Sequence, residues 1–251
     1  MLTQISHGTD TDLPPLLIAH GLYGSARNWG VIAKRLSDSR RVVAVDMRNH
    51  GASPWRDTHS YEDLASDLAE TICAEGGRFD VVGHSMGGKA AMMLALQHGD
   101  LVNRLVVADI APVTYSHSQM PMIDAMRAVD LSRVTRRSDA AEALGAQGIE
   151  KPLQSFFTQS LDVVGQKWLL NLDTLASEMP NIMSFPQVST TWDGPTLFLT
   201  GGESDYVSRA HRDGIKSLLP KARFASIPGA GHWLHADKPR EFEAALRVFL
   251  D

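Results

Sequence analysis

Short, wholly apolar runs separated by longer amphipathic stretches set the rhythm of the chain. Leu16-Leu17-Ile18-Ala19, Val42-Val43-Ala44-Val45, Phe79-Asp80-Val81-Val82, Leu105-Val106-Val107-Ala108 and Thr196-Leu197-Phe198-Leu199-Thr200 are too short for helices and nearly free of polar positions. That is the pattern of strands covered on both faces. Ala222-Arg223-Phe224-Ala225-Ser226-Ile227 reads as a final strand and residues 2–6 as a short edge strand. Between these runs, residues 28–36 place Trp29, Ile32, Ala33 and Leu36 at helical spacing, and residues 61–75 do the same with Leu64, Leu68 and Ile72. Further helices are predicted after Ser85, over 208–219, and over 239–250, where Pro239 occupies the first turn and its missing N–H is not needed. Strands alternating with helices predict an α/β fold built on a mainly parallel, doubly wound sheet.

The rhythm breaks between Tyr115 and Gln187. Short helical stretches at 121–129 and 139–147 occur there, with no convincing strand. The segment is too long for a loop between neighbouring elements, so it is expected to be a helical cap insertion, residues 115–187, set into a core formed by 1–114 and 188–251.

A chain of 251 residues with 43% hydrophobic content can bury one substantial core. The formal net charge of -5 comes without a basic stripe, which argues against nucleic acid or an anionic membrane as partner. A small molecule is the expected partner, bound by a monomer or homodimer. Cys73 is the single cysteine, so no intrachain disulfide can form, and its place in the 61–75 helix predicts a small apolar packing role. No apolar run approaches the ~18 residues of a membrane span. The first residues lack the layout of a signal peptide, and a cytoplasmic location is expected.

The chemistry centres on Gly83-His84-Ser85-Met86-Gly87, where a strand turns sharply into a helix. A G-x-S-x-G turn holds its serine in a strained conformation with the hydroxyl exposed above the sheet. Ser85 is therefore the candidate nucleophile, and it needs a base oriented by an acid. His232, in the Gly-rich loop after the last strand, is the candidate base. His235 lies three residues on, but no cysteine or carboxylate nearby completes a ligand set, so no metal or other cofactor is expected. Two aspartates compete as the acid: Asp109 at a buried strand end, and Asp205 in the loop after the penultimate strand. The candidate oxyanion donors are the N–H of Met86 and the N–H of Leu22, in the turn His20-Gly21-Leu22-Tyr23-Gly24-Ser25.

These stretches, together with Arg48-Asn49-His50-Gly51-Ala52-Ser53-Pro54, Gly87-Gly88-Lys89 and Asp109-Ile110-Ala111-Pro112-Val113, resemble the α/β-hydrolase superfamily over nearly the whole chain. Within it, the resemblance is to the small helical-cap esterases of bacteria and their mammalian mitochondrial relatives. The resemblance implies Ser85, His232 and Asp109 as the triad, with Asp205 the alternative acid and Ser204 facing the cap. The implied reaction is cleavage of carboxylic esters or thioesters through an acyl-enzyme, with short or medium acyl groups preferred and acyl-CoA thioesters as a further class. Ser204, His20, Tyr23, Phe156 and Trp168 are the expected substrate contacts, in a pocket also lined by Met120, Met122, Met126, Phe157 and Met183. The rival readings are a cofactor-free C–C hydrolase or perhydrolase, and a ligand receptor that keeps a slow triad.

Overall fold

The computed structural model describes residues 1–251. Seven strands form the main sheet: β1 (Gln4–His7), β2 (Leu16–Ala19), β3 (Val42–Val45), β4 (Phe79–His84), β5 (Val102–Ala108), β8 (Thr196–Gly201) and β9 (Ala222–Ile227). The remaining two, β6 (Leu161–Asp162) and β7 (Lys167–Trp168), pair only with each other. The order across the main sheet is β1-β3-β2-β4-β5-β8-β9, with β1 antiparallel at its edge and every other pair parallel.

Alternation along the strands divides the core in two. Leu17, Ala19, Val43, Val45, Val81, Leu105, Val107 and Phe198 face the helices Tyr61–Glu75 and Met86–Gln97. Leu16, Ile18, Val42, Ala44, Val82, Val106 and Leu199 face Gly30–Leu36 and Pro239–Leu250. Both sets are buried, which is why these strands read as apolar runs without a polar face. The chain winds from β2 out to β3 and then returns past β2 to β4, so the winding reverses between β2 and β4. Their carboxyl ends are the natural place for a ligand crevice. At the opposite end of β4, Arg40 and Asp80 form a buried ion pair (2.6 Å), and Asn103 also donates to Asp80 (2.7 Å).

The segment between β5 and β8 contributes the helices Met120–Arg127, Arg137–Ala146, Lys151–Thr158, Leu172–Ser177 and Met179–Met183. It has its own apolar cluster, which includes Ile123, Met126, Leu144, Phe157, Trp168 and Leu175. The expectation of no strand here is corrected by the β6–β7 hairpin, in which Leu161 pairs with Trp168. Two-residue strands are too short to leave an alternating pattern. At its two ends the segment meets itself, with the Tyr115 N–H donating to the Met183 carbonyl (3.0 Å).

Two smaller expectations also change. Cys73 is exposed, because it falls with Glu62, Ser66 and Glu70 on the outward face of its helix. The predicted 208–219 helix is a 3-10 turn, Arg209–His211, followed by an α-helix, Arg212–Leu218.

Candidate active site

Ser85 sits where β4 gives way to the Met86–Gln97 helix, with φ 52° and ψ -120°. A non-glycine residue is rarely found there, and the conformation is retained because its surroundings leave no other. Gly83 and Gly87 make the turn sterically possible. A Cβ on Gly83 would lie 2.2 Å from the Gly87 carbonyl oxygen, and one on Gly87 would lie 2.4 Å from the carbonyl oxygen of Ala19. The β2 end is thus pressed directly against the start of the helix.

The loop after β9 brings His232 to Ser85 from far along the chain. Its Nε2 lies 3.1 Å from Ser85 Oγ, and its Nδ1 lies 2.8 Å from Asp109 Oδ2. Asp109 follows β5 and is wholly buried, whereas the His232 side chain keeps 16% exposure. Burying a carboxylate requires donors. Asp109 has the Gly201 N–H on Oδ1 (3.0 Å), and on Oδ2 the hydroxyl of Ser204 and His232 Nδ1. A carboxylate that accepts at Nδ1 fixes the tautomer in which Nε2 offers its lone pair to the serine hydroxyl.

This arrangement separates the two candidate acids and alters one expectation, that for Ser204. Asp205 is exposed and has no hydrogen bond or ion pair, so the carboxylate beside His232 belongs to Asp109. The reason is local: Ser204 turns its hydroxyl inward, leaving the next side chain to point outward. Ser204 is not the substrate contact that the sequence predicts: its hydroxyl is bonded to Asp109, and it does not line the cavity.

The turn after β2 lies against Ser85, since a Cβ on Gly21 would come within 3.2 Å of the Ser85 Cβ. The Leu22 N–H has no acceptor within the protein. Met86 opens its helix, where first-turn N–H groups lack an intrahelical partner. Buried histidines hold this turn in shape. His20 donates from Nδ1 to the Gly21 carbonyl (2.7 Å) and accepts at Nε2 from the Met47 N–H (2.9 Å). His50 donates from Nδ1 to the Arg48 carbonyl (2.9 Å) and accepts at Nε2 from the Tyr23 N–H (3.1 Å). Burial pulls His20 down to about 4 and His50 to about 3, so both are neutral near pH 7. His84 is held well below its ordinary value by burial, and its Nε2 donates to the His232 carbonyl (2.9 Å). His235, pushed by burial to about 3, stacks on Trp29 with ring centroids 4.2 Å apart. No group of three or more histidine, cysteine or acidic side chains comes together to hold a metal ion.

Ser85 and His232 open into a cavity of about 300 Å³ whose apolar wall includes Met122, Leu153, Phe156, Phe157, Ile182 and Met183. His20 and Tyr23 also line it. The ring nitrogens of His20 are both committed to backbone, however, and the Tyr23 hydroxyl donates to the Gln119 carbonyl (3.0 Å). Trp168, Met120 and Met126 do not line the cavity. The Trp168 indole N–H finds its acceptor inside the insert, at the Met126 carbonyl (2.9 Å), so the ring is packed there. Sequence reasoning assigned no role to Tyr206, whose ring stacks on His232, or to Lys89, whose ammonium is buried beneath the insert. Lys89 is the one charged residue in the otherwise apolar run Met86–Leu96, a signal that could have marked it, whereas Tyr206 breaks no apolar pattern.

Comparison with known proteins gives a consistent picture. A model of the alpha/beta hydrolase family matches residues 16–245. The chain is 43% identical to the sn-1-specific diacylglycerol lipase ABHD11 of Mus musculus, over 96% of this chain and 82% of that protein. It is 38% identical to esterase YbfF of Escherichia coli, over 94% of this chain and 93% of that one. Among solved structures, a marine microorganism esterase superposes with a TM-score of 0.93 at 37% identity, covering 99% of each chain.

Proposed function

The chain belongs to the alpha/beta hydrolase family, and from that premise we propose that it hydrolyses carboxylic esters through an acyl-enzyme formed on Ser85. The observation that carries this reading is the continuous relay from Ser85 Oγ to His232 Nε2 (3.1 Å) and from His232 Nδ1 to Asp109 Oδ2 (2.8 Å). In the first half-reaction Ser85 Oγ bonds to the acyl carbon as its proton passes to His232 Nε2. The imidazolium, held by Asp109, then gives that proton to the departing alkoxide. In the second half-reaction a water takes the place of the serine hydroxyl, and the acid leaves Ser85. The N–H groups of Leu22 and Met86 serve as the oxyanion donors, each contributing about 3 kcal/mol to lowering the barrier.

The cavity favours a short or medium, uncharged acyl group. Its volume of about 300 Å³ lies at the small end for ligand pockets. Lys89 is the only lysine, arginine or carboxylate side chain lining it, and the ammonium protons are taken by three backbone carbonyls. The 115–187 insert acts as the cap that supplies Phe156, Phe157, Leu153 and Met122 to the acyl site. Thioesters, including acyl-CoA, fit the same chemistry, and the mouse relative's name extends the range to glyceride esters. The test is fluorophosphonate labelling followed by peptide mapping, alongside a panel of p-nitrophenyl esters and acyl thioesters of increasing length. Labelling confined to Ser85 and turnover that declines with long acyl chains are expected. A label elsewhere, or none on the folded protein, removes the mechanism.

A further inference from the structure

We propose that Tyr206 is a positioning residue for His232, holding the imidazole by its face while Asp109 holds it by its edge, and favouring the imidazolium that forms during the reaction. The inference rests on the reading of His232 as the proton carrier. The two rings are nearly parallel, with centroids 4.0 Å apart and planes inclined by 19°. No other ring lies so flat against this imidazole: His84 is tilted by 43° and Trp233 by 69°.

The stack is built rather than incidental, because Tyr206 is held at three points. The Tyr115 hydroxyl donates to the Tyr206 carbonyl (2.8 Å) and accepts from the Ala111 N–H (2.9 Å). The Tyr206 hydroxyl meets His117 Nε2 (3.1 Å). The Tyr206 N–H donates to Ser204 Oγ (3.4 Å), and that oxygen in turn donates to Asp109. One loop after β8 therefore fixes both supports of the imidazole. Ser204 secures the carboxylate at Nδ1, and the residue two positions on lays its ring over the face.

A cation above an aromatic face is attracted by the ring quadrupole more strongly than the neutral form is. Tyr206 thus stabilises the state in which His232 has just taken the serine proton, and it restrains the ring from swinging away from Ser85. The other titratable and charged groups around His232 are Asp109 at Nδ1, the rings of His84 and His235, His117 through the Tyr206 hydroxyl, Glu203 and Asp205 in the β8 loop, and Asp237 bonded to the Gly231 N–H. All of them are retained in the variants below.

The experiment compares the wild-type chain with Tyr206→Leu, Tyr206→Met and Tyr206→Phe. Two readouts are used: the pH dependence of kcat and KM on a short p-nitrophenyl ester, and the titration of the His232 ring by NMR. Leucine and methionine remove the π face. Each is expected to lower kcat about tenfold with little change in KM, and to move the His232 titration and the acid limb of kcat/KM down by about half to one pH unit. Phenylalanine keeps the face and should leave both titrations in place. An unmoved His232 titration in a folded Leu or Met variant overturns the proposal, as does an equal shift in the Phe variant. Because the NMR titration needs no substrate, a wild-type chain inactive on every ester would sink the esterase reading while leaving this one to be judged on its own result.

Discussion

Replacing Lys89 with methionine probes how the insert is fastened to the sheet. The Lys89 side chain rises from the Met86–Gln97 helix and is buried, with Nζ donating to the carbonyls of Val113 (2.9 Å), Met183 (3.1 Å) and Ser184 (2.5 Å). Val113 precedes the insert, and Met183 and Ser184 lie near its end, so one ammonium ties both connections. It forms no salt bridge; the rings of Tyr115 and Tyr61 lie 4.9 and 5.5 Å away. Burial without a carboxylate partner lowers its pKa from 10.5 to about 7. The sign of the linkage follows. Between pH 7 and 10.5 the unfolded chain holds a proton that the folded chain has released, so stability attributable to this group rises with pH. The slope is about 1.4 kcal/mol per unit, or about 2 kcal/mol between pH 7 and 8.5. Methionine preserves an unbranched side chain without a charge, so the Lys89→Met protein lacks this increment. Urea unfolding of both proteins at a series of pH values measures it as a widening stability difference. A difference that stays flat over that interval would refute the reasoning. Amide exchange should also quicken in the variant around residues 113–115 and 183–184.

Acid should destabilise the protein before its carboxylates titrate. His20, His50 and His235 have folded values of about 4, 3 and 3, so below pH 6.5 the unfolded state takes up protons that the folded state refuses. Each is expected to remove about 2 kcal/mol by pH 5. Chemical unfolding between pH 6.5 and 5 checks this, and an uptake of less than one proton on unfolding would contradict it. Asp109→Asn should lower kcat by about 10³- to 10⁴-fold by disturbing the His232 tautomer, while Asp205→Asn leaves it within about twofold, as expected of an exposed surface side chain. Steady-state kinetics on one ester settles the pair, and the reverse ranking would move the acid to the β8 loop.

The sheet was legible because its strands are buried on both faces and so appear as unbroken apolar runs; the Gly83–Gly87 spacing was legible because backbone crowding forbids a Cβ at either end. Loop side chains follow no such period. Asp109 and Asp205 each come after an apolar strand, so the pattern alone offers both. What separates them is the inward turn of the Ser204 hydroxyl, a rotamer and not a periodicity. Trp168 was assigned to the pocket on its residue type, and the Met126 carbonyl that captures its N–H is over forty positions away. Tyr206 is a similar case, a loop tyrosine beside a conspicuous aspartate that only long-range packing sets against an imidazole. Lys89 differs, because a lone charge in the apolar run Met86–Leu96 is a legible oddity whose three carbonyl partners are not.

The hydrogen bond between Tyr115 and Met183 has a bearing on engineering. An excursion that leaves and rejoins the sheet domain at one spot behaves like a graft. None of the strand pairs of the seven-stranded sheet includes a residue from within it, so a longer, shorter or differently shaped ceiling can be fitted without altering a single register. A chimera carrying another protein's excursion between these two residues is therefore expected to replace the cavity wall of Met122, Leu153, Phe156 and Phe157 while leaving the seven-stranded sheet intact.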